Sequence, residues 1–132
     1  MTITTLIVAA LTLSLASQFT QAELDAHKAW MDDAQDKKDD VREALAAKDA
    51  NKLTAAAIEI EKLTDQEQKF WARTDILKAK ELAATNRAEA KEMLQAARSA
   101  KFDAAGATFA RLEKTCSSCH DLHFEKSLQA KP

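Results

Sequence analysis

Glycine and proline are almost missing from this chain, which has only Gly106 and the terminal Pro132, and it contains no tyrosine. Without turn formers and β-branched or aromatic runs, no strand pattern emerges along the sequence, and the abundance of Ala, Leu, Lys, Glu and Asp is that of an all-helical protein. There are only two cysteines, Cys116 and Cys119. A structural zinc site would need two more Cys or His ligands at metal spacing, and His27 and His123 lie far apart in sequence. A thioredoxin-like pair would need a strand before it in a βαβ unit, which the missing strand pattern argues against. Charge of one sign is not in excess either: 19 Lys and Arg against 21 Asp and Glu leave a net charge of -2, a balance that argues against nucleic acid as a partner.

No apolar run reaches the roughly 20 residues of a membrane span. The longest apolar stretch, Leu6 to Ala16, lies within a segment of 22 residues without any charged side chain. Its length is that of the apolar core of a secretory signal peptide. Thr20 and Ala22 supply small residues at positions minus three and minus one of a cleavage site, so residues 1–22 are expected to be removed and the exported chain to begin at Glu23. The absence of Lys or Arg from Met1 to Thr5 departs from that pattern, and an uncleaved N-terminal anchor is the alternative. Removing 22 of 132 residues leaves 110, enough for one domain over 23–132.

Within that domain, apolar residues recur in steps of three and four. Leu24, His27, Met31, Ala34, Lys38, Val41 and Leu45 form one stripe, and Leu53, Ala56, Ile60, Leu63, Glu67 and Phe70 a second. Ile76, Ala79, Ala83, Ala90, Met93 and Ala97 form a weaker, alanine-rich stripe, and Phe102, Ala105, Phe109, Leu112, Cys116, Cys119 and His123 the last. Each is one face of an amphipathic helix. The pattern predicts helices over about 23–48, 51–73, 75–98 and 101–128, with loose ends, joined as an antiparallel up-down-up-down four-helix bundle. Asn86 with Glu89 three residues on has the form of a capping box. Lys38 and Glu67 interrupt their stripes and are read as side chains that carry their charge out to water. The segments Ala46 to Ala56 and Ala96 to Ala105 resemble each other, as two copies of one hairpin turn would.

Near the end of the last helix stands Cys116-Ser117-Ser118-Cys119-His120. This is the C-x-x-C-H form that attaches a c-type haem. Two thiols three positions apart share one helix face, where each can add to a vinyl group, and the adjacent histidine becomes an axial ligand. One covalent haem through Cys116 and Cys119, with His120 on the metal, is therefore expected. Export agrees with it, because such attachment takes place outside the bacterial cytoplasm, where free cysteines otherwise oxidise.

The opposite axial position depends on which residue of the antiparallel first helix is level with His120. Within about one turn, 5.4 Å, the inward candidates are His27, Met31 and Ala34. Met31 on the iron gives a low-spin electron carrier, His27 a bis-histidine centre of lower potential, and Ala34 an open apolar site for a small gas such as NO or CO. Peroxidase-like chemistry would need that open site with His27 as distal acid or base, and nothing else supports it, so no enzyme activity and no catalytic residue are expected. Trp30 and Trp71 fall where a haem would have walls, although core packing explains them equally well.

A C-terminal C-x-x-C-H on the last helix of an exported bundle of this length resembles the class II cytochromes c, the cytochrome c prime family. The likeness extends over essentially the whole exported chain, but only the haem motif is specific. The stretch Ala104 to Lys114 is similar to the family's approach to its motif, and His27-Lys28-Ala29-Trp30-Met31 is similar to the basic-x-x-hydrophobic-Met segment of its low-spin members. The resemblance implies Met31 as sixth ligand, a periplasmic one-electron carrier, redox partner proteins, and pairing of two copies through the first two helices. Asp121-Leu122-His123-Phe124-Glu125-Lys126 departs from the family, which sets an aromatic and then a basic residue directly after the haem histidine.

Overall fold

The computed structural model describes residues 19–128 and Ala130. Most of the expected export signal, residues 1–18, lies outside the described residues. Four α-helices follow one another: α1 Gln21–Ala47, α2 Ala50–Ala72, α3 Leu77–Arg98 and α4 Phe102–Leu122, with a short 3-10 turn Phe124–Ser127 at the end. Among the described residues no strand forms, and the one isolated bridge joins Phe19 to Ala130. No described helix is long and apolar enough to cross a membrane.

The helix ends follow local chemistry. Thr20 caps α1: its hydroxyl accepts from the Glu23 N–H at 3.2 Å while the Thr20 N–H donates to Glu23 Oε2 at 2.7 Å, a complete capping box. Helix α1 thus starts at Gln21 rather than at 23, and Thr20 and Ala22, expected around a cleavage site, are its cap and first turn. Asp49 caps α2, accepting from the Lys52 N–H at 3.0 Å. Asn86 is no cap; it lies mid-way along α3, one unbroken helix from Leu77. Helix α4 ends six residues before the expected 128, because His123 turns left-handed with φ 50°. The two hairpin turns share one backbone geometry: left-handed Lys48 and Ala100 donate to Leu45 and Ala97, and the next residues, Asp49 and Lys101, donate to Ala44 and Ala96 at 3.0 and 2.9 Å. The sequence likeness pairs Lys48 with Arg98, which is still helical, so the turn itself falls two residues later in the second segment than that pairing places it.

Glu23 also ties α1 to the end of α2, accepting from Arg73 Nη1 at 2.8 Å. That Arg73 bond, helped by the Thr20 N–H, lowers the Glu23 carboxyl from 4.5 to about 2. A carboxylate whose folded pKa is depressed adds stability above its unfolded pKa, and that contribution disappears as pH falls through the folded value. Urea midpoints are therefore expected to drop between about pH 4.5 and pH 2 more steeply in the full chain than in Glu23→Gln. Because the pair is exposed, the difference should be small and should shrink with salt.

Helix α1 packs on α2, α2 on α3 and α3 on α4, while α1 and α4 lack the close approach of the other neighbours. They are tied toward the hairpin end by Arg42, which pairs with Glu113 and lies 5.6 Å over the Phe109 ring. The main core fills that end, with Val41, Leu53, Ile60, Met93, Phe109 and Leu112 all buried. A second, aromatic core of Phe19, Phe70 and Trp71 on Ala79 and Ala83 closes the other end. Small alanines let α3 sit close to the rings. Between the two cores, facing the α1–α4 seam, the packing opens.

Candidate functional site

Helical spacing turns Cys116 and Cys119 toward this opening. Cys116 is half-buried against the main core. Its Sγ lies 3.5 Å from Asn86 Nδ2, so Asn86, read from the sequence as a cap, instead steadies the first thiol from α3. One residue earlier, the Thr115 hydroxyl donates to Glu89 Oε1 at 2.7 Å, a second tie between α4 and α3. Both thiols are free. Burial pushes the Cys116 thiol above its usual pKa against the nearby Lys38 charge and the Asn86 bond. Burial likewise carries Cys119 up to about 11, with the negative charges of Glu67, Cys116 and Glu125 adding to it. Thiolate is the nucleophilic form, so in the folded chain both sulfurs are poor nucleophiles at neutral pH.

Two adjoining cavities occupy the opening. The larger, about 510 Å³, is lined by Leu24, His27, Met31, Trp71, Cys119 and His120 among others, and most of its wall is apolar. The smaller, about 40 Å³, continues toward the main core past Met31, Ala34, Lys38, Glu67, Asn86, Cys116 and His120. Met31, Glu67 and His120 line both, so the void is one slot divided by side chains. Its volume is in the range of about 300–1,000 Å³ usual for cofactor sites. Met31 from α1 and His120 from α4 thus border the same space. Counted from the shared hairpin end, Met31 lies 16 residues back from Ala47 and His120 18 residues on from Phe102, a difference well inside one turn, and that register is why the match survives the early end of α4.

His27 also borders the slot, but its Nε2 is engaged. Glu67 of α2 meets it with Oε1 at 2.6 Å and Oε2 at 2.9 Å, and each residue is only 8 % exposed. The imidazole lies flat on Phe70 at 4.0 Å, with Trp71 and Trp30 edge-on at 5.6 and 6.2 Å. Glu67 is therefore no solvent-seeking side chain: it is buried in register with the core because it has a partner, and a buried carboxylate without one would be costly. A signal existed, since an inward His and an inward Glu on facing stripes can satisfy each other. Lys38 stays half-buried at the rim of the smaller cavity. Trp71 walls the larger cavity, whereas Trp30 packs against His27 and Phe70. His123 is an exposed helix cap with Nδ1 3.6 Å from Glu125.

Among the described residues no three His, Cys, Asp or Glu side chains converge as a cation cage. What the slot offers instead is two sulfurs and an imidazole on one wall, a thioether on the other, and an apolar interior. No protein-family model, curated protein or solved structure matches the chain.

Proposed function

We propose that the chain holds one haem c, bonded through thioethers at Cys116 and Cys119 with His120 and Met31 as axial ligands, and that it carries single electrons between redox partners in the periplasm. The observation that supports this most is that all four residues border one apolar slot of cofactor size between α1 and α4. The donor set fits the group: vinyl-reactive thiols at helical spacing, a neighbouring imidazole, and a sulfur across the void. When bound, the haem supplies reversible one-electron exchange at its iron.

The remaining work falls to side chains. Asn86 and the Thr115–Glu89 bond fix the turn of α4 that bears the cysteines, so the orientation of His120 follows from helix packing. Leu24, Trp71 and Leu128 supply apolar wall to the larger cavity. Lys28, Asp25 and Glu125 stand at its border and give an approaching partner a mixed polar rim.

The test is the mass and the absorption spectrum of the protein made in cells that mature c-type cytochromes. One added haem and a low-spin spectrum unchanged by carbon monoxide are expected. Haem with a high-spin, carbon-monoxide-reactive spectrum would move the function to gas binding beside Ala34, which also lines the slot. A polypeptide no heavier than its amino acids would end the proposal.

A further inference from the structure

Two side chains of α1 compete for the position opposite His120. His27 and Met31 are one helical turn apart on one face, and both line the larger cavity with His120. An imidazole is a good ligand for iron in either oxidation state, so proximity alone would let His27 displace the weaker thioether. What separates them is Glu67. Its two carboxylate oxygens converge on Nε2 of His27 at 2.6 and 2.9 Å, and the ring is clamped flat on Phe70 at 4.0 Å with an interplanar angle of 13°.

We infer that Glu67 is a positioning residue that withholds His27 from the iron and so assigns the sixth coordination position to Met31. This rests on the haem reading above. Glu67 reaches the slot from α2, a third helix that carries neither of the two competitors, so the choice between them is made by a residue that need not touch the metal. Nε2 is the imidazole nitrogen farther from the backbone, and a nitrogen already held by a charged acceptor must give up a strong hydrogen bond in a buried place before it can ligate. Without that acceptor the same nitrogen faces the cavity with no polar partner, and the iron becomes its best one.

Glu67→Ala in the haem-loaded protein tests this. The ferric wild type is expected to show the near-infrared sulfur-to-iron charge-transfer band. Glu67→Ala should lose most of it and gain the electron paramagnetic resonance pattern of two axial imidazoles. The double variant Glu67→Ala with His27→Ala should recover the sulfur band, because the competitor is gone. If Glu67→Ala does not fold, Glu67→Gln keeps the side-chain size but weakens the bond, and a mixture of both ligation states is expected. Unchanged sulfur ligation in the single variants overturns the inference, as does a loss of that ligation that the second substitution fails to restore, which would make Glu67 a packing residue only. These outcomes leave the haem reading intact, whereas a wild type without attached haem overturns both.

Discussion

Phe70→Ala is expected to cost the fold about 3–5 kcal/mol, the usual range for removing a buried aromatic ring. Phe70 is 5 % exposed and stands at the centre of the aromatic core. Phe19 stacks on it at 4.2 Å and His27 at 4.0 Å, while Trp71 and Trp30 meet it edge-on at 5.1 and 6.4 Å. Little is left to collapse into the space, because α3 presents only the small Ala79 and Ala83 there and Leu24, Trp30, Ile76, Phe124 and Leu128 already pack on the edge of this core. Urea denaturation of the haem-free chain measures it. The midpoint should fall with little change in slope, since compactness is retained. A loss below about 1.5 kcal/mol would mean that the rings rearrange to fill the gap. The loss should also be larger in the full chain than in one begun at Glu23, which lacks Phe19 and the Thr20 cap.

How far the sequence carried differs from one part of the molecule to another. The second stripe was fully legible: every position from Leu53 to Phe70 in it is buried, because α2 is flanked on both sides and its face has one way to turn. The fourth helix was legible in its middle and not at its end. His123 breaks it in a left-handed conformation that sequence reading associates with glycine or asparagine, and neither stands there. The start of α3 carried no signal either, since Ile76 offers no capping side chain and the Thr74 hydroxyl takes the Ile76 N–H from outside the helix.

At the site the difference is chemical. Cys116, Cys119 and His120 are local in sequence, so their spacing alone states what they can do together. Glu67 and His27 are separated by 40 positions, and each alone has an ordinary explanation: a helix-surface carboxylate and a helix-start imidazole. Only packing of α1 on α2 turns them into one buried pair. Asn86 failed in the same way, because a capping pattern read locally is overridden when the helix continues through it and the side chain finds Cys116 instead.

Met31→Ala should turn the spectrum of the haem-loaded protein from low-spin to high-spin and take carbon monoxide binding from undetectable to saturable. The argument is one of supply. With the thioether gone, the level of Met31 keeps only Ala34 and the methyl of the new alanine, neither of which is a donor, Gln35 and Lys38 lie further along the smaller cavity, and His27 remains held by Glu67. Iron left with a single strong axial ligand accepts small diatomic molecules. Stability should change far less than the spectrum does. Met31 is only half-buried and borders a void, so its loss in the haem-free chain should cost about 1–2 kcal/mol, less than the 2–5 kcal/mol of a fully packed methionine. The two readouts separate the roles that a methionine on an inward face can have. A ligand moves the spectrum and costs the haem-free fold no more than that smaller amount; a core filler leaves the spectrum alone and costs the fold the full amount. If Met31→Ala instead shows two imidazoles on the iron, the clamp on His27 is weaker than the thioether it guards, and ligand choice then depends on Met31 as much as on Glu67.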